Sequence, residues 1–277
     1  MFVLNSSVLV MALKVILMNN NIFTERKVYK YVTEDDLRLD LIPRIRQMAV
    51  NRIIDHPWKI MSDVEILRSA GLYGEDKATG EKGYNLAAVM LLGKDDVIRS
   101  VVPAYRTDAI LRKVNVDRYD DRLIVQTNLI ESYRLLMDFS EKHLLDKFYL
   151  EYDARMSLRS IISHEMLVNT LMHREFTSSY IAKFVIERDR MYTENANRVT
   201  SDDPITPNNF EPNPKNPIIA SFLRNIGLAD ELGSGVRKLF KYVRRYSGKD
   251  PELLDGDVFR TIVPLDDNYS FDARIAL

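Results

Sequence analysis

A chain of 277 residues and 32.2 kDa, 46% hydrophobic, can hold two compact domains or one large one, and this composition excludes a disordered protein. Lys+Arg 39 against Asp+Glu 40 leaves a net charge of -1, which excludes a global basic field, so any DNA contact must be local. The absence of cysteine excludes disulfides and thiolate metal sites, and His56, His143, His164 and His173 lack metal-ligand spacing; a reducing cytoplasm fits best.

The first eighteen residues, MFVLNSSVLVMALKVILM, are strongly apolar. Lys14 interrupts them, and no basic n-region or small-residue cleavage site flanks them, so a strand or buried helix is expected and no membrane role. IFTERKVYKYVT, 22–33, predicts a strand, and EDDLRLDLIPRIRQMAVNR a capped entry and a basic helix. Arg44, Arg46 and Arg52 in that helix, with Lys27 and Lys30, make the clearest basic patch and the candidate DNA contact, a weak and local one. Ser62 with Glu65 forms a capping-box pattern that opens a helix of about eight residues, stopped at Gly71. GEDKATGEKG is a loop. YNLAAVMLLG is a buried helix or strand, and DDVIRSVVPAYRTDAIL reads as a turn and a strand.

After NVDRYDDR, Asn128 to Leu144 is a long helix. In the next helix, which includes HEMLVNTLMHREF, Glu165, Asn169 and His173 repeat every four residues and share one face. Ile162, Met166 and Met172 flank this strip, so it is expected to be partly buried, as an internal hydrogen-bond network, a helix edge, or the roof of a ligand site. Ser163, Thr170 and Arg174 are the expected solvent-facing strip. A strand region AKFVIERDRMYTENA, a long loop over 201–217 of the kind that forms lids, a helix PIIASFLRNIG with Pro217 at its first position and Asn216 as its cap, a segment LADELGSGVRKLFKYVRRYSG and a final strand DVFRTIVPL complete the chain. This order predicts an α+β fold. Gly233 and Gly235 flanking Ser234 before a helix are either a tight turn or a phosphate-binding helix N-terminus. No G-x-x-x-x-G-K-[ST] loop occurs, so a helicase proper is not expected.

The pieces E-x-x-x-N-x-x-x-H-R (165–174), K-N-P-x-I-A (215–220), the later G-S-G and the terminal GDVFRTIVPL, in that order over about 157–265, resemble the divergent GHKL-type ATP-binding domain of bacterial RecG-like transcriptional regulators. The resemblance implies a mixed sheet covered by the helices at 157–174 and 217–227. It also implies an adenine nucleotide (ATP) with Mg²⁺, Glu165 as the base that activates water, and Asn169 as the magnesium ligand. His173, Lys215, Gly233, Ser234 and Gly235 would lie along the nucleotide. Where the family carries Asp-x-Gly-x-Gly this chain has YTENANRVTSDD, leaving Glu194 or Asn195 as the acceptor for the adenine. In that family a Schlafen/AlbA-type DNA-binding domain precedes the ATP module. The resemblance thus divides the chain into a remnant of it over 1–55, a connecting α/β segment over 56–127 and a GHKL-like domain over 128–277. The implied function is a nucleotide-binding transcriptional regulator with weak or no ATPase activity, in which nucleotide changes lid and homodimer geometry; the alternative is an inactive protein-interaction module.

Overall fold

The computed structural model describes residues 24–76, 79–115, 117–197, 204–209, 214–230 and 233–266; the apolar opening 1–18 lies outside them. The chain is α+β, built round two hydrophobic cores. The first holds the N-terminal elements. Of the expected strand 22–33, the part from residue 24 is described, and it forms a two-residue strand β1 (Val28–Tyr29) preceded by a 3₁₀ turn at Thr24–Arg26. That turn buries Glu25, whose carboxylate accepts from the N–H groups of Ile218 (2.7 Å) and Ile219 (3.1 Å), far along the chain.

Two 3₁₀ turns lead into α1 (Ile42–Arg52). Next, α2 (Asp63–Ser69) has the expected capping box, with Ser62 N–H 2.7 Å from Glu65 Oε2, and it ends before Gly71 at φ 73°. Two more strands, β2 (Tyr73–Glu75) and β3 (Lys82–Asn85), replace the ends of the expected loop and pair antiparallel with β1 in the order β1-β3-β2. All seven residues of α3 (Leu86–Leu92) are buried, and Asn85 caps it by accepting from Ala88 N–H at 3.0 Å. In the stretch 95–111, read as a turn and then a strand, α4 (Asp95–Val101) forms first and the strand is confined to the end, from Thr107. Asp95 and Asp96 favour a helix N-terminus, and Val97, Ile98 and Val101 turn one helical face to the core.

The second core lies under a six-stranded mixed sheet. Its strands are β4 (Thr107–Arg112) and β5 (Asp121–Val125), then, after the separate hairpin β6 (Phe148–Glu151) and β7 (Ala154–Ser157), β8 (Ala182–Glu187), β9 (Arg190–Ala196), β10 (Glu252–Leu254) and β11 (Val258–Pro264). The order is β10-β11-β9-β8-β4-β5, antiparallel except for β4 beside β8. Since β4 and β5 precede residue 128, the sheet crosses the expected 127/128 boundary.

Three helices, α5 (Leu129–His143), α6 (Leu158–Met172) and, after α7 (Pro217–Asn225), α8 (Ser234–Ser247), supply the apolar layer on this sheet. Of the two helices expected to cover it, only α6 does. The other, α7, puts Ile219, Ala220, Phe222 and Leu223 into the first core beside α3, because Glu25 anchors its N-terminus there. Among the described residues no helix is long and apolar enough to cross a membrane.

Candidate functional site

The polar strip on α6 meets the Gly-Ser-Gly turn. Gly233 takes φ 90°, a left-handed conformation that glycine adopts without steric cost, and Ser234 opens α8. Gly235 faces α6 so closely that a Cβ there would stand 2.6 Å from Glu165 Oε2. Lys238, one turn along α8, brings its Nζ to 4.0 Å from Glu165 Oε1 and also pairs with Asp230. Glu165 is thus buried beside a helix N-terminus and one lysine. Burial dominates: it pushes the carboxyl up to about 7, with Lys238 opposing and the Asp230 charge adding to the rise. His164, next in sequence, has Nδ1 2.7 Å from the Tyr133 hydroxyl, and burial holds its pKa below the usual imidazole value.

Asn169, one turn on, is half-buried, and its side-chain amide makes no hydrogen bond to a described residue. His173 ends the helix. Burial, helped by the Lys215 charge, lowers its pKa to about 4, so the ring is neutral at pH 7. Lys215 hydrogen-bonds Asn197 Oδ1 and lies 3.9 Å from Asp255 Oδ1. Asn216 does not cap α7 with its side chain. Its amide donates to the carbonyls of Met172 (2.9 Å) and Arg174 (2.8 Å), binding the end of α6, while Glu25 performs the capping.

Under α6, the alternation along β9 and β11 puts Thr193, Asn195 and Thr261 on the helix-facing side of the sheet with Met191 and Val263 of the core. Thr193 and Thr261 are directly opposed, and their hydroxyls, with Asn195 Oδ1, are buried and unpartnered among the described residues. Asn195 Nδ2 donates to the carbonyls of Ala196 (3.1 Å) and His173 (3.4 Å), which fixes its oxygen as a buried acceptor. Glu194 points to the other face. There it accepts from Tyr180 (2.7 Å), Lys183 (3.1 Å) and Arg260 (2.7 Å), and although burial opposes the charge these donors hold its pKa below the usual carboxylate value. Of the two residues expected near the adenine, the fold brings Asn195 under α6 and sends Glu194 away from it.

The expected solvent strip on α6 is corrected: Ser163, Thr170 and Arg174 are all buried. The helix is enclosed by α5, α8 and the sheet, so Ser163 bonds Ser140 (2.5 Å) and Thr170 returns to the Met166 carbonyl. Arg174 stacks over Tyr105 (4.6 Å to the ring centroid) and donates to Thr107 Oγ1 and the Arg106 carbonyl. The basic patch is also partly engaged. Arg46 holds the carbonyls of Trp58 and Met61 and the Asp63 carboxylate, and Arg44 lies 3.6 Å from Glu131; Arg52 is exposed. The spacing of α6 gave no sign of Lys238, Asp230 or Thr261, which the tertiary fold brings to the strip and to the sheet beneath it.

A family model described as a domain of unknown function, DUF8451, matches residues 16–108, a stretch that runs across the expected 55/56 boundary into the start of β4. No curated protein matches the chain. Among solved structures, the crystal structure of the DIP2311 protein from Corynebacterium diphtheriae has the same fold, with TM-score 0.64 and 17% identity over 88% of this chain and 48% of that chain. The chain therefore spans about half the length of that protein.

Proposed function

We propose that this chain binds an adenine nucleotide with Mg²⁺ beside α6, between the polar strip and the Gly233–Gly235 turn, and acts as a nucleotide-dependent regulator with slow hydrolysis. The approach of Glu165 to Gly235 carries this reading: it sets a carboxylate of pKa about 7 against a glycine turn whose backbone can come close to phosphate. Near neutral pH such a group can take a proton from water. Asn169 offers a hard oxygen one turn away, which fits Mg²⁺ because that ion keeps several waters and binds few protein groups beside substrate phosphates. Bound there, the metal would supply charge neutralisation on the phosphates. Asn195 Oδ1 and the Thr193 and Thr261 hydroxyls are buried polar groups suited to an N–H donor such as a purine amino group.

One observation favours the alternative of an interaction module without ligand. The Glu165 carboxylate itself occupies the approach to Gly235, where a phosphate would have to displace it, and Lys238 already pairs with Asp230. Kinetics distinguish the two. Glu165→Ala should spare nucleotide affinity and lower turnover, whereas Asn169→Ala should weaken the magnesium dependence. Absence of both effects, with no binding at millimolar nucleotide, supports the module. We propose regulation through nucleotide-dependent geometry, with any DNA contact limited to Arg44 and Arg52, since Arg46 is engaged inside the fold.

A further inference from the structure

A second concave site lies in the first half of the chain. The 3₁₀ turn at Glu34–Asp36, the helix α2 and the strands β2 and β3 border a cleft of about 530 Å³, within the size range of small-molecule sites, and none of its lining belongs to α6 or α8. Two aromatic rings link its charged groups. The Tyr84 hydroxyl donates to Glu34 Oε1 at 3.3 Å, the Tyr84 and Tyr73 rings meet edge to face with centroids 5.1 Å apart, and the Arg68 guanidinium lies over the Tyr73 ring at 5.4 Å. Burial and the Glu34 charge push the Tyr84 hydroxyl up to about 12 while Arg68 opposes them, so both charges act on this one group.

These charges do not neutralise each other. Arg68 makes no hydrogen bond or ion pair with a described residue, and stacking on a ring uses none of its N–H donors. Asp35 has no side-chain partner among the described residues, and the Glu34 carboxylate accepts only from a neutral hydroxyl. The other two cations of the lining are already engaged, Lys30 with Glu81 at 2.7 Å and Lys82 with Glu75 at 3.8 Å. The cleft therefore offers a guanidinium and two carboxylates to a ligand, while Val32, Val64 and the Tyr73 ring supply apolar surface.

A wholly anionic ligand would face Glu34 and Asp35, and a wholly cationic one would face Arg68; like charges set against a ligand reject it. A ligand carrying both charges satisfies both groups. We propose that this cleft binds a free α-amino acid with an apolar side chain, its carboxylate on Arg68, its ammonium on Glu34 and Asp35, and its side chain against Val32, Val64 and Tyr73. A planar guanidinium takes a carboxylate through two parallel N–H bonds, which fixes the orientation of the amino acid in the cleft. The site gives the chain a small-molecule input apart from α6, and it does not rest on nucleotide binding.

Isothermal titration of the full chain with phenylalanine, leucine and glycine tests the assignment. Phenylalanine or leucine should saturate with Kd of about 1 mM or below, and glycine, which has both charges and no side chain, should bind about tenfold more weakly. Phenylalanine amide lacks the carboxylate and N-acetylphenylalanine lacks the ammonium, so each should also bind about tenfold more weakly than phenylalanine. Arg68→Gln should weaken phenylalanine to the same degree and leave the binding of the amide unchanged. Glu34→Gln combined with Asp35→Asn should weaken phenylalanine and spare the N-acetyl compound. All three positions are exposed, so the circular dichroism spectrum should stay that of wild type. No saturation by phenylalanine or leucine at about 10 mM overturns the proposal. So does binding that is equally tight for the amide or the N-acetyl compound, or in Arg68→Gln, since it would not use the charges assigned here.

Discussion

Replacing Glu165 by glutamine tests the electrostatics of the site without reference to any ligand. In the fold its carboxyl is raised from 4.5 to about 7, chiefly by burial, so the native state holds a proton that the unfolded chain has released. The stability this group contributes is complete below about pH 4.5 and is lost as pH rises through about 7. A rise of this size corresponds to on the order of 3 kcal/mol, at about 1.4 kcal/mol per pH unit. Glutamine has no charge to desolvate. Between pH 5 and pH 8.5, urea unfolding should therefore show wild type losing on the order of 3 kcal/mol more than Glu165→Gln. Glu25, raised to about 7 in the same sense, and His173, lowered to about 4 in the opposite sense, are common to both proteins and drop out of the difference. Parallel pH profiles for the two proteins would refute a buried, desolvated Glu165.

Glu25→Ala should destabilise the chain by about 1–3 kcal/mol in chemical denaturation, because it removes a buried cap from two N–H groups of α7; a loss below about 0.5 kcal/mol would contradict that role. The His173 ring should remain neutral down to about pH 5 by nuclear magnetic resonance, and an ordinary imidazole titration near 6.5 would place it in solvent. Gly235→Ala should be destabilising in wild type and much less so beside Glu165→Ala, since its Cβ would stand 2.6 Å from Glu165 Oε2; additive effects in the double-mutant cycle would show that the two do not touch. Arg46→Ala should lower stability by about 1–3 kcal/mol through the orphaned carbonyls of Trp58 and Met61, and a neutral result would return Arg46 to the surface patch.

Features determined by local sequence were legible before any coordinates. The Ser62–Glu65 capping box, the Asn128 helix start and the position of Pro217 all depend on groups within four residues of one another. The partial burial of the strip at Glu165, Asn169 and His173 followed from its apolar flanks. Long-range partners were not legible. Glu25 caps a helix through the N–H of Ile218, 193 positions later, and a buried acid in a weak strand pattern gives no sign of that. Arg174 looked like a solvent residue because helical projection assigns polarity, not surroundings; only the enclosure of α6 and the Tyr105 ring explain its burial. For α4, apolar Val97, Ile98 and Val101 fit either period, and the aspartates at its start favour the helix. At Glu194 and Asn195 the sequence offered two neighbouring acceptors, and strand alternation sends one to each face of the sheet.

The proposed nucleotide site lies between α6 and the turn into α8. Isothermal titration of the full chain with ATP, carried out with Mg²⁺ and again with the metal chelated, tests it most directly. Saturable heat that depends on Mg²⁺ and falls in Asn169→Ala is expected, while Arg52→Ala titrates like wild type. No heat at millimolar nucleotide in a folded protein, or binding indifferent to both Mg²⁺ and Asn169, would contradict it.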